Sequence, residues 1–228
     1  MFRHVPNALT GARLVLAFVF FAMLSYYQYE GRGDPTFLNI AFLIYLVALV
    51  TDFLDGYLAR RWQVEGPIGR IGDPFVDKVL VLGSFIMFAG KNFIIPDVEP
   101  GKGMVVKTIT GVAPWMVVLM LARELLVTSF RGIAEAAGRR FGAAFAGKLK
   151  MVLQSVTILV VLIYVNYFAP KEAPGRLDRY EHPARIVRNV FIWATVVWTV
   201  ISGLDYARRI LPIYFRVKAE EKNTIRHL

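Results

Sequence analysis

Six blocks of mostly apolar residues punctuate this chain, at 9–27, 37–50, 79–95, 112–126, 151–168 and 187–204. Most have the length and side-chain character of helices that cross a hydrocarbon layer about 30 Å thick. The second block is short as an apolar run, and a membrane helix there must continue through the polar residues that follow it. Between blocks three and four stand Pro96, Pro100, Gly101 and Gly103; between five and six stand Pro170, Pro174, Gly175 and Pro183. Proline and glycine at that density predict loops. The pattern predicts an all-α membrane protein with six transmembrane helices in a single domain over 1–228, its core at about 5–205. Residues 1–11 are expected as a short interfacial segment, and the mixed-charge tail 206–228 as a strand of chain that lies along the membrane surface or frays.

The polar positions inside and beside these blocks alternate in a regular way. Arg13 lies near the start of block one, and Asp52 and Asp55 near the end of block two. Asp77 and Lys78 begin block three, while Arg123 and Glu124 lie near the end of block four. Lys148 and Lys150 precede block five, and Asp205 follows block six. Antiparallel spans alternate in direction, so all of these positions fall on one side of the membrane. The helices are therefore expected to enclose one polar chamber at that face.

Composition sharpens the picture. The 228 residues are 56% hydrophobic, with no cysteine and a mean hydropathy of +0.49. Disulfides and thiolate metal sites are excluded. Residues 1–6 carry no short apolar core followed by a small-residue cleavage site, so the first block is expected as a retained span. The formal charge of +10 comes without any nucleic-acid-binding motif, and the basic residues sit mostly at block edges. That favours anionic lipid and membrane orientation over nucleic acid. Of the 27 Lys and Arg residues, nine fall in the connections 28–36, 91–111 and 169–188, and eighteen on the aspartate side with both termini. The positive-inside rule then predicts a chamber and termini that face the cytoplasm of a bacterial membrane, with Gly101 and Gly175 outside.

The richest chemistry lies in one string, Asp52-x2-Asp55-Gly56-x2-Ala59-Arg60-x8-Gly69-x3-Asp73-x3-Asp77. On helices, positions three or four apart share a face, so each aspartate pair presents its carboxylates to one side. Ionisable groups at membrane depth are expensive and mark function. Two facing pairs of hard oxygen ligands suit one or two Mg²⁺ or Mn²⁺ ions, which typically hold a diphosphate during phosphoryl displacement. Gly56 and Gly69 leave room for a close approach, Ala59 is small on the face of Asp52, and Arg60 offers a donor fork for phosphate oxygens.

This string resembles the signature of the CDP-alcohol phosphotransferase family at all eight fixed positions and every gap. The resemblance implies that Asp52, Asp55, Asp73 and Asp77 hold a pair of divalent metal ions on the CDP diphosphate. It also implies that Asp77 acts as general base toward the attacking alcohol, and that Gly56, Ala59, Arg60 and Gly69 line the CDP pocket. The reaction implied is displacement of CMP from a CDP-linked lipid by an alcohol hydroxyl. Two further stretches resemble the phosphatidylglycerophosphate synthase branch: Pro6-Asn7-x2-Thr10-x2-Arg13, and Arg123-Glu124-x6-Arg131 with Gly147-Lys148-x-Lys150-x3-Gln154. Gly72, before Asp73-Pro74, departs from the Leu-Asp-Pro form of that branch.

The implied substrates are CDP-diacylglycerol and sn-glycerol 3-phosphate, with Thr10, Arg123, Arg131 and Lys148 as acceptor-binding candidates, in contact with membrane lipid. Family members are commonly homodimers. Within the family, an inositol phosphate, serine or phosphatidylglycerol are the alternative acceptors. Outside it, a membrane prenyltransferase and a divalent-cation channel or carrier are the competing readings. The Asp-Gly and Ala-Arg elements oppose the first, and the clustering of carboxylates at one face opposes the second.

Overall fold

The structure, a computed structural model, describes residues 5–29, 33–62, 67–99, 103–136, 145–169 and 180–226. Six long helices carry most of them: α1 (Val5–Tyr26), α2 (Pro35–Trp62), α3 (Pro67–Phe88), α4 (Pro114–Ala136), α5 (Phe145–Ile163) and α6 (Glu181–Arg226). Prolines open α2, α3 and α4, where the ring fits the first turn and the missing N–H is no loss. The helix of block two does run through the aspartates, ending at Trp62.

Each helix turns one face inward. On α1, Ala17, Phe20 and Leu24 are buried, while Val15, Phe18 and Val19 are exposed. On α2 the buried face is Leu38, Ala41, Tyr45 and Ala48, again at helical spacing. Phe20 and Tyr45 meet with ring centroids 5.5 Å apart. Gly83 of α3 leaves room for the ring of Phe21 of α1, since an added Cβ would lie 2.3 Å from its Cζ. α5 packs between α2 and α6, and α4 rests mainly on α6 and α3. The outward faces, with Leu43, Val118, Val190 and Val197, remain apolar and exposed, as a lipid-facing surface requires. Between α5 and α6 the hydroxyls of Thr157 and Thr195 lie 2.7 Å apart, a small polar link of the kind that ties membrane helices.

Among the described residues, three segments are long and apolar enough to cross a membrane: Pro35–Asp52, Gly147–Phe168 and Glu181–Ile210. Thr10–Tyr26 is a shorter apolar helix. Among their apolar residues α3 carries Asp73, Asp77 and Lys78, and α4 carries Arg123, Glu124 and Arg131.

The sequence-based boundaries need correction in several places. α3 ends at Phe88, and Ile94 and Ile95, expected at the end of block three, belong to a strand. The connection holds a short 3-10 turn (Lys91–Phe93) and an antiparallel hairpin of β1 (Ile94–Glu99) and β2 (Gly103–Thr108), with Ile94 opposite Thr108 and Glu99 opposite Gly103. β-branched residues on both strands favour that pairing, so among the described residues the helical architecture carries one small sheet. Residues 5–11, expected as an interfacial piece, are the first turns of α1. Residues 206–226, expected as a tail, continue α6, which runs 46 residues in one helix. Gly101 and Gly175 lie outside the described residues. At the end of α5 a π-helical turn (Tyr164–Phe168) closes the segment. There the buried Arg188 of α6 stacks over the Tyr164 ring at 4.3 Å and donates to the carbonyl of Ile109 at 2.6 Å, which fastens the hairpin to α5 and α6.

Candidate active site

At the other end of α5 the polar positions converge. A cavity of about 470 Å³ is lined by Asp52 of α2, Asp77 and Lys78 of α3, and Arg123, Glu124 and Arg131 of α4. Lys148, Lys150 and Gln154 of α5 and Tyr206 of α6 complete its polar wall. The alternation of start and end positions along the sequence thus becomes one chamber in space. Arg13 joins it from α1: its Nη1 donates to Oδ1 of Asp52 at 2.5 Å, with the arginine only 1% exposed.

Glu124 organises the cationic side. Its Oε1 accepts a hydrogen bond from Nη1 of Arg123 at 2.8 Å and another from Nζ of Lys150. All three side chains are buried. A charge-assisted cluster of this kind offsets the cost of burying each ion, whereas any one left alone would be strongly destabilising. Lys78 donates to Oγ1 of Thr128 at 2.7 Å, and that hydroxyl donates in turn to the Glu124 carbonyl. Not every donor is used within the protein. Nε and Nη2 of Arg123, Nε of Arg131 and Nε2 of Gln154 are buried with no hydrogen-bond partner among the described residues. Buried donors of this sort are normally satisfied, so this wall of the cavity is fitted to a ligand that brings acceptor oxygens.

α2 and α3 supply further carboxylates to the cavity. Asp52 and Asp77 both face the cavity, and Asp55 and Asp73 lie within a turn of them on α2 and α3. How Asp55, Gly56, Ala59, Arg60, Gly69 and Asp73 meet the cavity lies outside what the structure describes, which at these positions is the helical backbone alone. The donor set is hard carboxylate oxygen in a chain without cysteine, which fits Mg²⁺ or Mn²⁺ and not a thiophilic metal.

Of the acceptor candidates, Arg123, Arg131 and Lys148 line the cavity, although they come from two helices and positions far apart in sequence. Thr10 does not; it is buried on α1, three residues before Arg13. Two polar residues of the wall, Thr128 and Tyr206, belong to none of the motifs in the sequence. Tyr206 lies three positions beyond Gly203 and four before Ile210, and that helical spacing was the signal available. Gly203 itself permits the approach of α4 to α6, since an added Cβ would lie 3.2 Å from Cγ of Arg123.

The chain is similar to known proteins over most of its length. The chain is 28% identical over 211 residues to a CDP-diacylglycerol–glycerol-3-phosphate 3-phosphatidyltransferase of Bacillus subtilis, which covers 89% of this chain and 93% of that protein. It is 30% identical over 210 residues to a probable phosphatidylglycerophosphate synthase of Mycobacterium tuberculosis, covering 91% of this chain and 82% of the relative. A transferase with the same name as the first, from Cereibacter sphaeroides, is 26% identical over 91% of this chain and 96% of its own length. The family model for CDP-alcohol phosphatidyltransferases matches residues 3–201, a span that contains the whole aspartate string and sets aside the prenyltransferase and cation-carrier readings. A chamber walled by carboxylates and cations, an unbroken eight-position motif and this match together place the chain in the CDP-alcohol phosphatidyltransferase family.

Proposed function

We propose that this enzyme transfers the phosphatidyl group of CDP-diacylglycerol to a hydroxyl of sn-glycerol 3-phosphate, releasing CMP and forming phosphatidylglycerophosphate. The observation that carries the acceptor is the cationic wall: Arg123, Arg131 and Lys148 line the same cavity as Asp52 and Asp77. Serine carries no phosphate and gives such a wall no comparable partner. The names of the B. subtilis, C. sphaeroides and M. tuberculosis relatives support the same acceptor.

In this reading Asp52, Asp55, Asp73 and Asp77 hold one or two Mg²⁺ or Mn²⁺ ions. Bound there, the metal neutralises diphosphate charge and improves CMP as a leaving group. The protein's own residues do the rest. Gly56, Ala59, Arg60 and Gly69 accommodate the CDP moiety. Arg123, Arg131 and Lys148 hold the acceptor phosphate so that its hydroxyl points toward Asp77. The Asp77 carboxylate takes the hydroxyl proton as the new O–P bond forms and the P–O bond to CMP breaks. Glu124 keeps Arg123 and Lys150 from collapsing onto the aspartates by holding both on one oxygen.

The membrane arrangement belongs to the same proposal. Six helices cross a bacterial cytoplasmic membrane, with the chamber and both termini on the cytoplasmic side, where glycerol 3-phosphate and CMP are soluble and CDP-diacylglycerol enters from the bilayer. Purified protein incubated with CDP-diacylglycerol, Mg²⁺ or Mn²⁺ and a panel of alcohols tests the reaction. Glycerol 3-phosphate is expected to give the fastest CMP release, with none after chelation of the metal. Faster release with serine, an inositol phosphate or phosphatidylglycerol would replace the acceptor; metal-independent release would remove the metal assignment.

A further inference from the structure

The two arginines of the cationic wall meet on one aromatic side chain that lies beyond the family match. Tyr206 is on α6 and only 3% exposed, whereas the matched region ends at residue 201. Its hydroxyl accepts a 3.2 Å hydrogen bond from Nη2 of Arg131. Its ring face receives the guanidinium of Arg123, whose central carbon lies 5.6 Å from the ring centroid, within cation–π range. Val127 and Ile210 pack with it as a small apolar cluster, flanked by Phe130, and the residue reaches the cavity wall.

We propose that Tyr206 is a positioning residue for the acceptor phosphate: it fixes the forks of Arg123 and Arg131 so that their remaining donors converge on one anionic group. The inference rests on the acceptor site proposed above. A guanidinium is planar, with five N–H donors in fixed directions. Holding one edge on Tyr206 therefore determines where the others point. Nε of Arg131, and Nε and Nη2 of Arg123, are the donors with no partner among the described residues. Arg123 is constrained further through Nη1, which is held by Glu124. Arginine is long and loses much rotamer freedom when it binds, so a site that orders it beforehand binds its anion more tightly. The effect should fall on the acceptor and spare the CDP lipid.

The test uses the full-length purified enzyme with each substrate varied separately. Tyr206→Phe removes the bond to Arg131 and keeps the ring under Arg123; Tyr206→Leu removes both. Tyr206→Phe is expected to raise KM for glycerol 3-phosphate about threefold to tenfold, and Tyr206→Leu by more. In Tyr206→Phe, KM for CDP-diacylglycerol should stay within about twofold of the parent, with the melting midpoint lowered by no more than about 3 °C. In an Arg131→Ala background, Tyr206→Phe should add almost nothing, because the two share one interaction. Glycerol 3-phosphate should also raise the melting midpoint of the parent more than that of Tyr206→Phe, which reads binding without turnover. If Arg131→Ala raises the acceptor KM selectively but Tyr206→Phe matches the parent, or alters both KM values along with the melting midpoint, Tyr206 is not a positioning residue. If Arg131→Ala itself shows no preference for the acceptor, the acceptor site is wrong and this inference falls with it.

Discussion

Arg13 of α1 donates a 2.5 Å hydrogen bond to Oδ1 of Asp52 of α2, across 39 positions of sequence. The arginine is almost fully buried and the aspartate is 40% exposed toward the cavity. The pair therefore does two things at once: it neutralises a cation inside the bundle, and it holds one oxygen of a proposed metal ligand.

Arg13→Ala should accordingly lower stability as well as activity. A hydrogen bond between charged partners contributes about 1.5–3 kcal/mol. At about 2–4 °C per kcal/mol for a chain of this size, the melting midpoint of the purified protein should fall by roughly 3–12 °C. A thermal scan of the variant checks this. An unchanged midpoint would mean that Asp52 and Arg13 are each satisfied equally well by other groups.

Asp77 and Asp52 line one cavity and carry different proposed roles, so their amide variants should differ. Asp77→Asn removes the base while keeping its volume, and turnover should drop by at least the ~10²–10⁴-fold typical of general-base loss. Binding of CDP-diacylglycerol should survive better in Asp77→Asn than in Asp52→Asn. Equilibrium binding of the CDP lipid to each variant, beside its rate of CMP release, decides between them. Near-normal turnover in Asp77→Asn ends its assignment as the base.

The cationic wall yields a split between substrates. A phosphate monoester carries close to two negative charges near neutral pH, and each charge-assisted bond to it contributes about 1.5–3 kcal/mol. Arg131→Ala or Lys148→Ala should therefore raise KM for glycerol 3-phosphate by roughly ten- to a hundredfold, with much less effect on CDP-diacylglycerol. Arg60→Ala should do the reverse. Kinetics with one substrate varied at a time will show it, and equal effects on both substrates would reduce these residues to membrane-orientation anchors.

Topology is open to a direct chemical test because the chain has no cysteine. Lys107 on β2, Tyr180 just before α6 and Arg208 on α6 are all exposed. In intact cells an impermeant thiol reagent should label Lys107→Cys and Tyr180→Cys, and should reach Arg208→Cys only after lysis. The opposite pattern would place the chamber outside.

The aspartate string was legible in the sequence because its chemistry is local: carboxylates three and four apart share a helix face wherever that helix lies. The apolar blocks were legible for a similar reason, since lipid requires side chains of one kind over a fixed length. Even the gathering of Asp52, Asp77, Arg123 and Lys148 followed from parity, because successive spans must reverse. Boundaries were less visible. Ile94 and Ile95 suit a membrane helix as well as a strand, and only pairing with residues 107 and 108 made them β. Contact chemistry was hidden altogether. Nothing in Arg123-Glu124 indicates that the glutamate shares one oxygen between its neighbour and Lys150. Nor does any motif link Tyr206 to Arg131, 75 positions earlier. The sequence determined which groups had to be sheltered from lipid and at which face. The packing of α4 and α5 on α6 decided which partner each received, because a buried charge is stabilised by the particular atoms within hydrogen-bonding reach, and only the folded chain brings those atoms together.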